Sequence, residues 1–316
     1  MLSEAALREG RLCVVGNINR DVKTAPFAGT DRLLRDGETR VEGILETPGG
    51  GGANSAFAAA ALGARVAFLG KVGADALGGR LARALAQHGV TAALARDPGC
   101  ATGNSLALTY ADGQRHFLSC QPNNESLSFA DLQLGILADY RHLFRADIWF
   151  SEAMLFGGNA RLFQQARAAG LVVSIDLNWD PGWGVLGPAA VARRKAAVRE
   201  ALPWVDVAHG NARELTEFAD AASLELALTR LTEWGVGEVV VHLGAEGAGH
   251  YRRGQLIVEP AVTVQRHVNA TGTGDVLSVC MMLLHDQPDV RAKLRLANTV
   301  VSEFIAGTRV LIPPLP

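Results

Sequence analysis

Asn269-Ala270-Thr271-Gly272-Thr273-Gly274-Asp275 is the stretch on which the reading of this chain turns. It follows a β-prone segment with Val262, Val264 and Val268, and it precedes an apolar run from Val276 to Leu284 that predicts a buried helix. Two glycines at a strand-to-helix junction let the backbone turn tightly and approach a ligand. The first N–H groups of a helix have no partner inside it, and the helix dipole adds positive charge there. Gly272, Thr273 and Gly274 therefore form a candidate anion hole. Asp275 sets a carboxylate beside it. Donors that hold a moving negative charge, next to a base that takes a hydroxyl proton, are what phosphoryl transfer to an alcohol requires. The plainer alternative is a glycine turn with an ordinary first-turn acid. Beside a helix N-terminus the Asp275 carboxyl is expected to have a low pKa, so that its proton arrives late in the reaction.

Outward from that loop the chain reads as alternating strands and helices. Arg11 to Gly16 predicts a first core strand, with the polar residues Asn17 to Asp21 at its end. After Asp131, strand-like runs at Asp147–Phe150, Leu171–Asp176, Val205–His209 and Glu238–Leu243 alternate with helix-like runs. That alternation predicts a mainly parallel sheet covered by helices on both faces, in an α/β fold of a single domain over residues 1–316. Ligands of such sheets bind beyond the C-terminal ends of the strands. Asn19 with Asp21, Glu152, Asp176 with Asn178, Asn211 and Gly244 are all expected at that edge, facing the 269–275 loop.

Two segments depart from the alternation. In the 22–47 segment helical periodicity is weak, and Thr39 to Leu45 alternates like an exposed strand. Asn104–Tyr110 and Gln114–Ser119 flank Ala111-Asp112-Gly113, a hairpin signal. Together, segments 22–47 and 104–119 predict a small β-sheet lid whose apolar face includes Val41, Leu106 and Leu108. Between the two comes Thr47-Pro48-Gly49-Gly50-Gly51-Gly52-Ala53-Asn54, a backbone able to touch a ligand or bend, followed by a small-residue helix from Ala53 to Leu62. Ala76 to His88 predicts an amphipathic helix stopped by Gly89.

Composition narrows the function. The chain has 316 residues, 48% hydrophobic and 20% charged, enough for a substantial core. A net charge of −2 gives no reason to expect a nucleic-acid partner. The cluster Arg193, Arg194, Lys195 and Arg199 has helical spacing and is read as a solvated helix face. Cys13, Cys100, Cys120 and Cys280 are far apart without a CxxC, which fits reduced thiols and a cytoplasmic protein. The histidines show no ligand-like pairing, the first residues do not resemble a signal peptide, and no apolar run has the length of a membrane span. Neither a GxxxxGK[ST] loop nor a GxGxxG at a strand-to-helix turn occurs, which counts against P-loop and dinucleotide-binding enzymes.

These pieces, in this order, resemble the ribokinase family, also called PfkB-type carbohydrate kinases. The resemblance rests on Val15 to Asp21, Gly37-Glu38-Thr39, Gly49 to Asn54, Leu62-Gly63-Ala64 through Gly73, Asn211-Ala212-Arg213-Glu214, Leu243 to Ala248 and the GTGD loop. It implies a kinase that moves the γ-phosphoryl group of ATP to a sugar hydroxyl, with Asp275 as base and Gly272, Thr273 and Gly274 as anion hole. It implies sugar contacts at Asn19, Asp21, Gly49, Gly50, Asn54 and Glu152. It places Asn211 and Glu214 near the phosphates, Glu214 ordering Mg²⁺ through water, and Gly244, Gly247 and Asn298 around the nucleotide. Asn269 stands where relatives often carry an aspartate tied to a monovalent-cation site, which leaves a potassium requirement open. Gly51 stands where some relatives carry a phosphate-reaching lysine, and His242 where a threonine often contacts the nucleotide. In Asp176-Leu177-Asn178-Trp179-Asp180-Pro181, Asp180 replaces an arginine of fructokinase-like and sugar-acid-kinase-like relatives. An aspartate there would repel an acid, so a neutral, ribose- or fructose-like sugar is expected. Trp179 and Trp183 are read as packing residues. A nucleoside kinase of the same fold, with Phe27, Tyr110 or Phe117 lining a base slot, and a non-catalytic sugar sensor are the alternatives. The lids of many relatives cover one another, which implies a homodimer.

Overall fold

The computed structural model describes residues 2–28, 36–111, 115–265, 268 and 271–315. Asn269, Ala270 and the hairpin tip Asp112-Gly113 lie outside the described residues. The strands are β1 (Arg11–Val15), β2 (Asn19–Thr24), β3 (Ile44–Gly49), β4 (Arg65–Gly73), β5 (Val90–Asp97), β6 (Asn104–Thr109), β7 (Arg115–Cys120), β8 (His142–Arg145), β9 (Val172–Asp176), β10 (Val207–Asn211), β11 (Glu238–His242), β12 (Ala248–Arg252) and β13 (Gln255–Glu259). The helices are α1 (Ala5–Arg8), α2 (Gly51–Ala61), α3 (Ala76–Gln87), α4 (Pro122–Glu125), α5 (Asn159–Ala168), α6 (Pro188–Ala201), α7 (Ala212–Phe218), α8 (Leu224–Glu233), α9 (Thr273–Leu283) and α10 (Val290–Ala306).

Nine strands form one sheet in the order β13-β12-β11-β10-β9-β8-β1-β4-β5. It is parallel from β11 to β5, and β12 and β13 add an antiparallel edge. Successive side chains of a strand point to opposite faces. Accordingly Leu12 and Val14 pack on one side with α2, α9 and α10, while Cys13 and Val15 pack on the other with α5, α6, α7 and α8. Both faces are covered, as the near-continuous apolar strands require.

The remaining strands form a small sheet, β3-β2-β6-β7. Strands β2 and β6 are parallel, and each pairs antiparallel with its outer neighbour. Alternation puts Asn19, Asp21 and Lys23 on one face with Thr47, Ser105 and Phe117, and Val22 on the other with Leu106, Leu108 and Leu118.

Several elements differ from the expectation. The strand expected at 147–150 lies at His142–Arg145, because Asp147 adopts a left-handed φ of 55° that ends the extended run. Residues 39–43 are not strand; β3 begins at Ile44. Asn19 and Asp21 sit within β2 instead of beyond the end of β1. Helix α2 starts at Gly51, two residues earlier than Ala53. The basic cluster is not a solvated face. Arg194 and Lys195 are buried, Arg193 covers the Phe156 ring at 4.2 Å and Arg199 the Trp234 ring at 5.2 Å.

Candidate active site

Helix α9 begins with Gly272 as its N-cap, at a φ of +86° that glycine adopts without strain. The first backbone N–H groups of α9 point out of the helix end, as the anion-hole reading expects. Asp275 lies in this first turn, and its Oδ2 accepts a hydrogen bond from Asn54 Nδ2 at 3.0 Å. Asn54 belongs to α2, so the candidate base is held from the neighbouring helix.

The Asp275 carboxyl is pushed up to about 7, first by burial and further by the charges of Asp147, Glu214 and Asp21, with the Asn54 hydrogen bond opposing. This reverses the low value expected from the helix N-terminus. Desolvation and like charges outweigh the dipole.

Asp147 is the residue that sequence reasoning missed. It stands two residues past the end of β8, the position expected for Glu152. Its Oδ2 accepts from the backbone N–H of Asn17 at 2.9 Å and of Gly52 at 2.8 Å, and its Oδ1 from that of Gly51 at 3.1 Å. Burial raises its pKa, while those N–H groups and Arg145 pull it down. The signal was an aspartate near an apolar run, masked because Ile148-Trp149-Phe150 reads equally well as strand. Glu152 is exposed and makes no hydrogen bond or ion pair among the described residues.

Asp176 ends β9, and burial followed by the Glu214 charge raises its pKa well above the carboxylate range. Asn211 and Glu214 form a reciprocal cap on α7. Asn211 Oδ1 accepts from Glu214 N at 2.9 Å, and Glu214 Oε2 accepts from Asn211 N at 2.8 Å. Burial raises the Glu214 carboxyl, with the Asn211 N–H opposing. Asp21, Asp147, Asp176, Glu214 and Asp275 thus gather negative charge at one edge, an arrangement that favours a bound cation. Among the described residues no group of three or more His, Cys, Asp or Glu could by itself hold a metal ion.

On the small sheet, Asn19 Nδ2 donates to Asp21 Oδ1 at 2.7 Å, and Lys23 Nζ lies 3.8 Å from Asp21 Oδ2. A Cβ on Gly49 would fall 2.1 Å from Asp21 Oδ1, so only glycine fits beside this carboxylate. Gly50 is the N-cap of α2. Gly244, Gly247 and Asn298 line, with His242, Thr273 and Gly274, a cavity of about 130 Å³ at the start of α9. Asn298 Nδ2 donates to the carbonyls of Glu259 and Pro260 at 3.0 and 2.9 Å, fixing one wall. His242 is held neutral, its pKa pushed down to about 4 by burial, and its Nε2 lies 3.2 Å from Ser278 Oγ.

Asp180 does not face this site. It is fully buried, and its carboxylate takes both arms of Arg194 at 2.7 and 2.9 Å. Paired in this way, Asp180 does not act to repel an acidic acceptor. Trp179 and Trp183 pack edge to face at 4.8 Å, and Phe27 and Tyr110 pack on each other at 5.4 Å.

Residues 10–306 match the pfkB family carbohydrate kinase family. The chain is 28% identical over 292 residues to probable fructokinase-4 of Arabidopsis thaliana, covering 87% of this chain and 86% of that one. It is 26% identical over 314 residues to ribokinase of Haemophilus influenzae, covering 96% and 95%. The fold is similar to that of a putative ribokinase II from E. coli solved in complex with ATP and Mg²⁺, with a TM-score of 0.81, 22% identity and 94% and 93% of the two chains covered. With its sheet, its small accessory sheet and its GTGD helix start in the expected places, the chain belongs to the PfkB family of carbohydrate kinases.

Proposed function

We propose that this protein transfers the γ-phosphoryl group of ATP to a hydroxyl of a sugar. The observation that carries the reading is Asp275, a carboxylate with a pKa of about 7 at the mouth of a helix N-terminus, held by Asn54. A base with a pKa near the working pH is the efficient one. The acceptor oxygen forms the new bond to phosphorus, its proton passes to Asp275, and the bond to ADP breaks with its electron pair leaving on ADP. The N–H groups of Gly272, Thr273 and Gly274 take up charge on the transferring group. Asn19, Asp21, Gly49, Gly50 and Asn54 hold the acceptor. The cavity at Gly244, Gly247 and Asn298 takes the nucleotide.

The carboxylates of buried Asp176 and half-buried Glu214 form a hard oxygen set that suits Mg²⁺ held by phosphates and ordered water. When bound, Mg²⁺ neutralises phosphate charge. The neutral-sugar preference rests on the curated relatives, named fructokinase and ribokinase. ATP consumption measured over neutral sugars, sugar acids, sugar phosphates and nucleosides tests the reading. Turnover with D-fructose or D-ribose is expected, and turnover with nucleosides alone overturns it.

The small sheet acts as a lid that excludes water from the reacting group. We infer a homodimer through its outer face, where Val22, Leu106 and Leu118 line an open groove and Ile44 is 67% exposed. A small sheet needs such a face covered. The Leu106→Asp, Leu108→Asp double variant is expected to sediment at the 33.4 kDa monomer mass while the wild type sediments at twice that. A wild-type monomer removes the dimer and leaves the kinase. The unpaired cysteines fit a cytoplasmic location.

A further inference from the structure

The acceptor face of the small sheet carries two polar atoms without a hydrogen-bond partner among the described residues. Asn19 Oδ1 and Thr47 Oγ1 are both buried and have no hydrogen-bond partner among the described residues. Their residues are 1% and 7% exposed. Buried polar atoms in folded proteins are nearly always paired, so two orphans on one small surface call for an explanation. Asn19 was expected at the acceptor; Thr47 was not.

Thr47 is placed by the ladder. It is the direct partner of Asp21 across the β2–β3 pair, and Asn19 is the partner of Gly49 two residues along. Residues opposite each other, and those two apart on one strand, share a face. Thr47 therefore stands on the same face as Asn19 and Asp21. Asp21 continues the row to Ser105 on β6 and Ser119 on β7, so a polar band crosses all four strands. Ser105 and Ser119 satisfy each other through their hydroxyls. Asp21 takes the Asn19 amide and faces Lys23. Within the band, only the Thr47 hydroxyl is left without a protein partner among the described residues.

Burial makes this costly, because water does not replace the missing partner. An isosteric valine would suit a buried strand position at least as well, because it leaves nothing unpaired. A hydroxyl kept there is explained by a partner that comes and goes. A directly paired aspartate and threonine also present acceptor and donor atoms side by side, a spacing that suits neighbouring hydroxyls on one sugar ring.

Resting on the sugar-kinase reading above, we propose that Thr47 is a specificity-determining residue of the acceptor site, whose hydroxyl and the Asn19 amide oxygen read one hydroxyl of a vicinal pair while Asp21 reads the other. The class of acceptor this selects is a sugar with two adjacent free hydroxyls beside the one that is phosphorylated. A deoxy sugar lacking one of the pair leaves the site with the same unpaired atoms it has when empty, and is rejected.

The test uses Thr47→Val and Thr47→Ser in the full-length protein. The signature is a pair of opposite effects. Thr47→Val should raise the melting temperature of the ligand-free protein by about 2 °C, because an unpaired buried hydroxyl is removed. The same variant should raise the KM for D-fructose or D-ribose about tenfold, with kcat and the KM for ATP within twofold, and Thr47→Ser should restore most of that loss. Deoxy analogues of the sugar turned over, with one hydroxyl removed at a time, sharpen the assignment. For one analogue the wild type's discrimination of about tenfold should fall to within twofold in Thr47→Val. A melting temperature lowered by more than 2 °C shows that the hydroxyl has a structural partner and overturns the proposal. An acceptor KM changed less than twofold overturns it too, with the kinase reading intact. A wild type that turns over no sugar removes the acceptor reading itself, and this proposal with it.

Discussion

Helices α2 and α9 start side by side at the same edge, and both have a glycine N-cap, yet their ends differ. The first N–H groups of α2, from Gly51 and Gly52, are spent on the carboxylate of Asp147. Those of α9 have no side-chain cap at Gly272, and Asp275 lies in the same first turn. The two ends touch through the Asn54–Asp275 hydrogen bond. A Cβ on Gly51 would fall 2.9 Å from Asp147 Oδ1 and 3.2 Å from Asp275 Oδ1, so a side chain there would have to displace these carboxylates. A glycine-led helix start therefore announces an anion site without saying whose anion fills it. A third element decides, here the turn after β8.

The contrast can be broken most forcefully at its open end. Asp275→Asn is expected to lower kcat by about 10²–10⁴ with ATP affinity unchanged, the scale of a positioned general base. Activity within threefold of wild type, measured by ADP release, would take that role away from Asp275.

Its closed end is tested by stability. Asp147→Ala leaves two buried N–H groups and a half-buried one without an acceptor and puts alanine at a φ of 55°. A loss of about 3–5 kcal/mol is expected in urea unfolding. Asp147→Asn keeps an acceptor oxygen and tolerates the left-handed backbone, so it should lose about half as much. An alanine variant as stable as wild type would show that α2 does not need its internal anion.

The smallest effect couples the two ends. Asp275 must be deprotonated to take a proton, and its pKa is raised to about 7. Thus kcat/KM should be level above that pH and fall about tenfold per unit below it. The Asp147 charge is one cause of the raised value, so Asp147→Asn should move the falling limb toward acid. Identical profiles for the two proteins would mean that the helix ends do not sense each other.

What could be read in advance follows from the range of the interactions. The α9 start, the α3 helix and the Asn211–Glu214 cap are local: glycine, cap and first-turn acid lie within a few residues of one another. Strand β8 was misplaced because Ile148 and Trp149, both fully buried, look as strand-like as His142 to Arg145. Only parallel pairing with β1 and β9 separates them. The α2 start was misplaced because its cap comes from Asp147, 95 residues away from Gly52. Asp180 was assigned to the acceptor because its partner, Arg194, lies 14 residues further on across a turn. The last two misses concern a charge whose partner lies elsewhere in the chain, and the first a strand that only its neighbours define.

One feature of the small sheet governs how it can move. Val15 ends the core strand and Asn19 begins β2, while Gly49 ends β3 one residue before α2. Strand β6 enters at Asn104 and β7 leaves at Cys120, directly paired with each other. Asn104 is in turn the partner of Arg20, and Asn19 that of Gly49. All four strands are thus rooted along a single line. For the lid proposed above, this makes the sheet a plate on a piano hinge: a body fixed along a line keeps one rotation and loses sliding and twisting. The residues nearest that axle, Asn19 and Gly49, sweep the least when the plate turns, whereas Phe117 and Leu45, further from it, sweep more. Contacts to the acceptor made at the axle would hold through opening and closing, and those toward the rim would be made and broken on every turn.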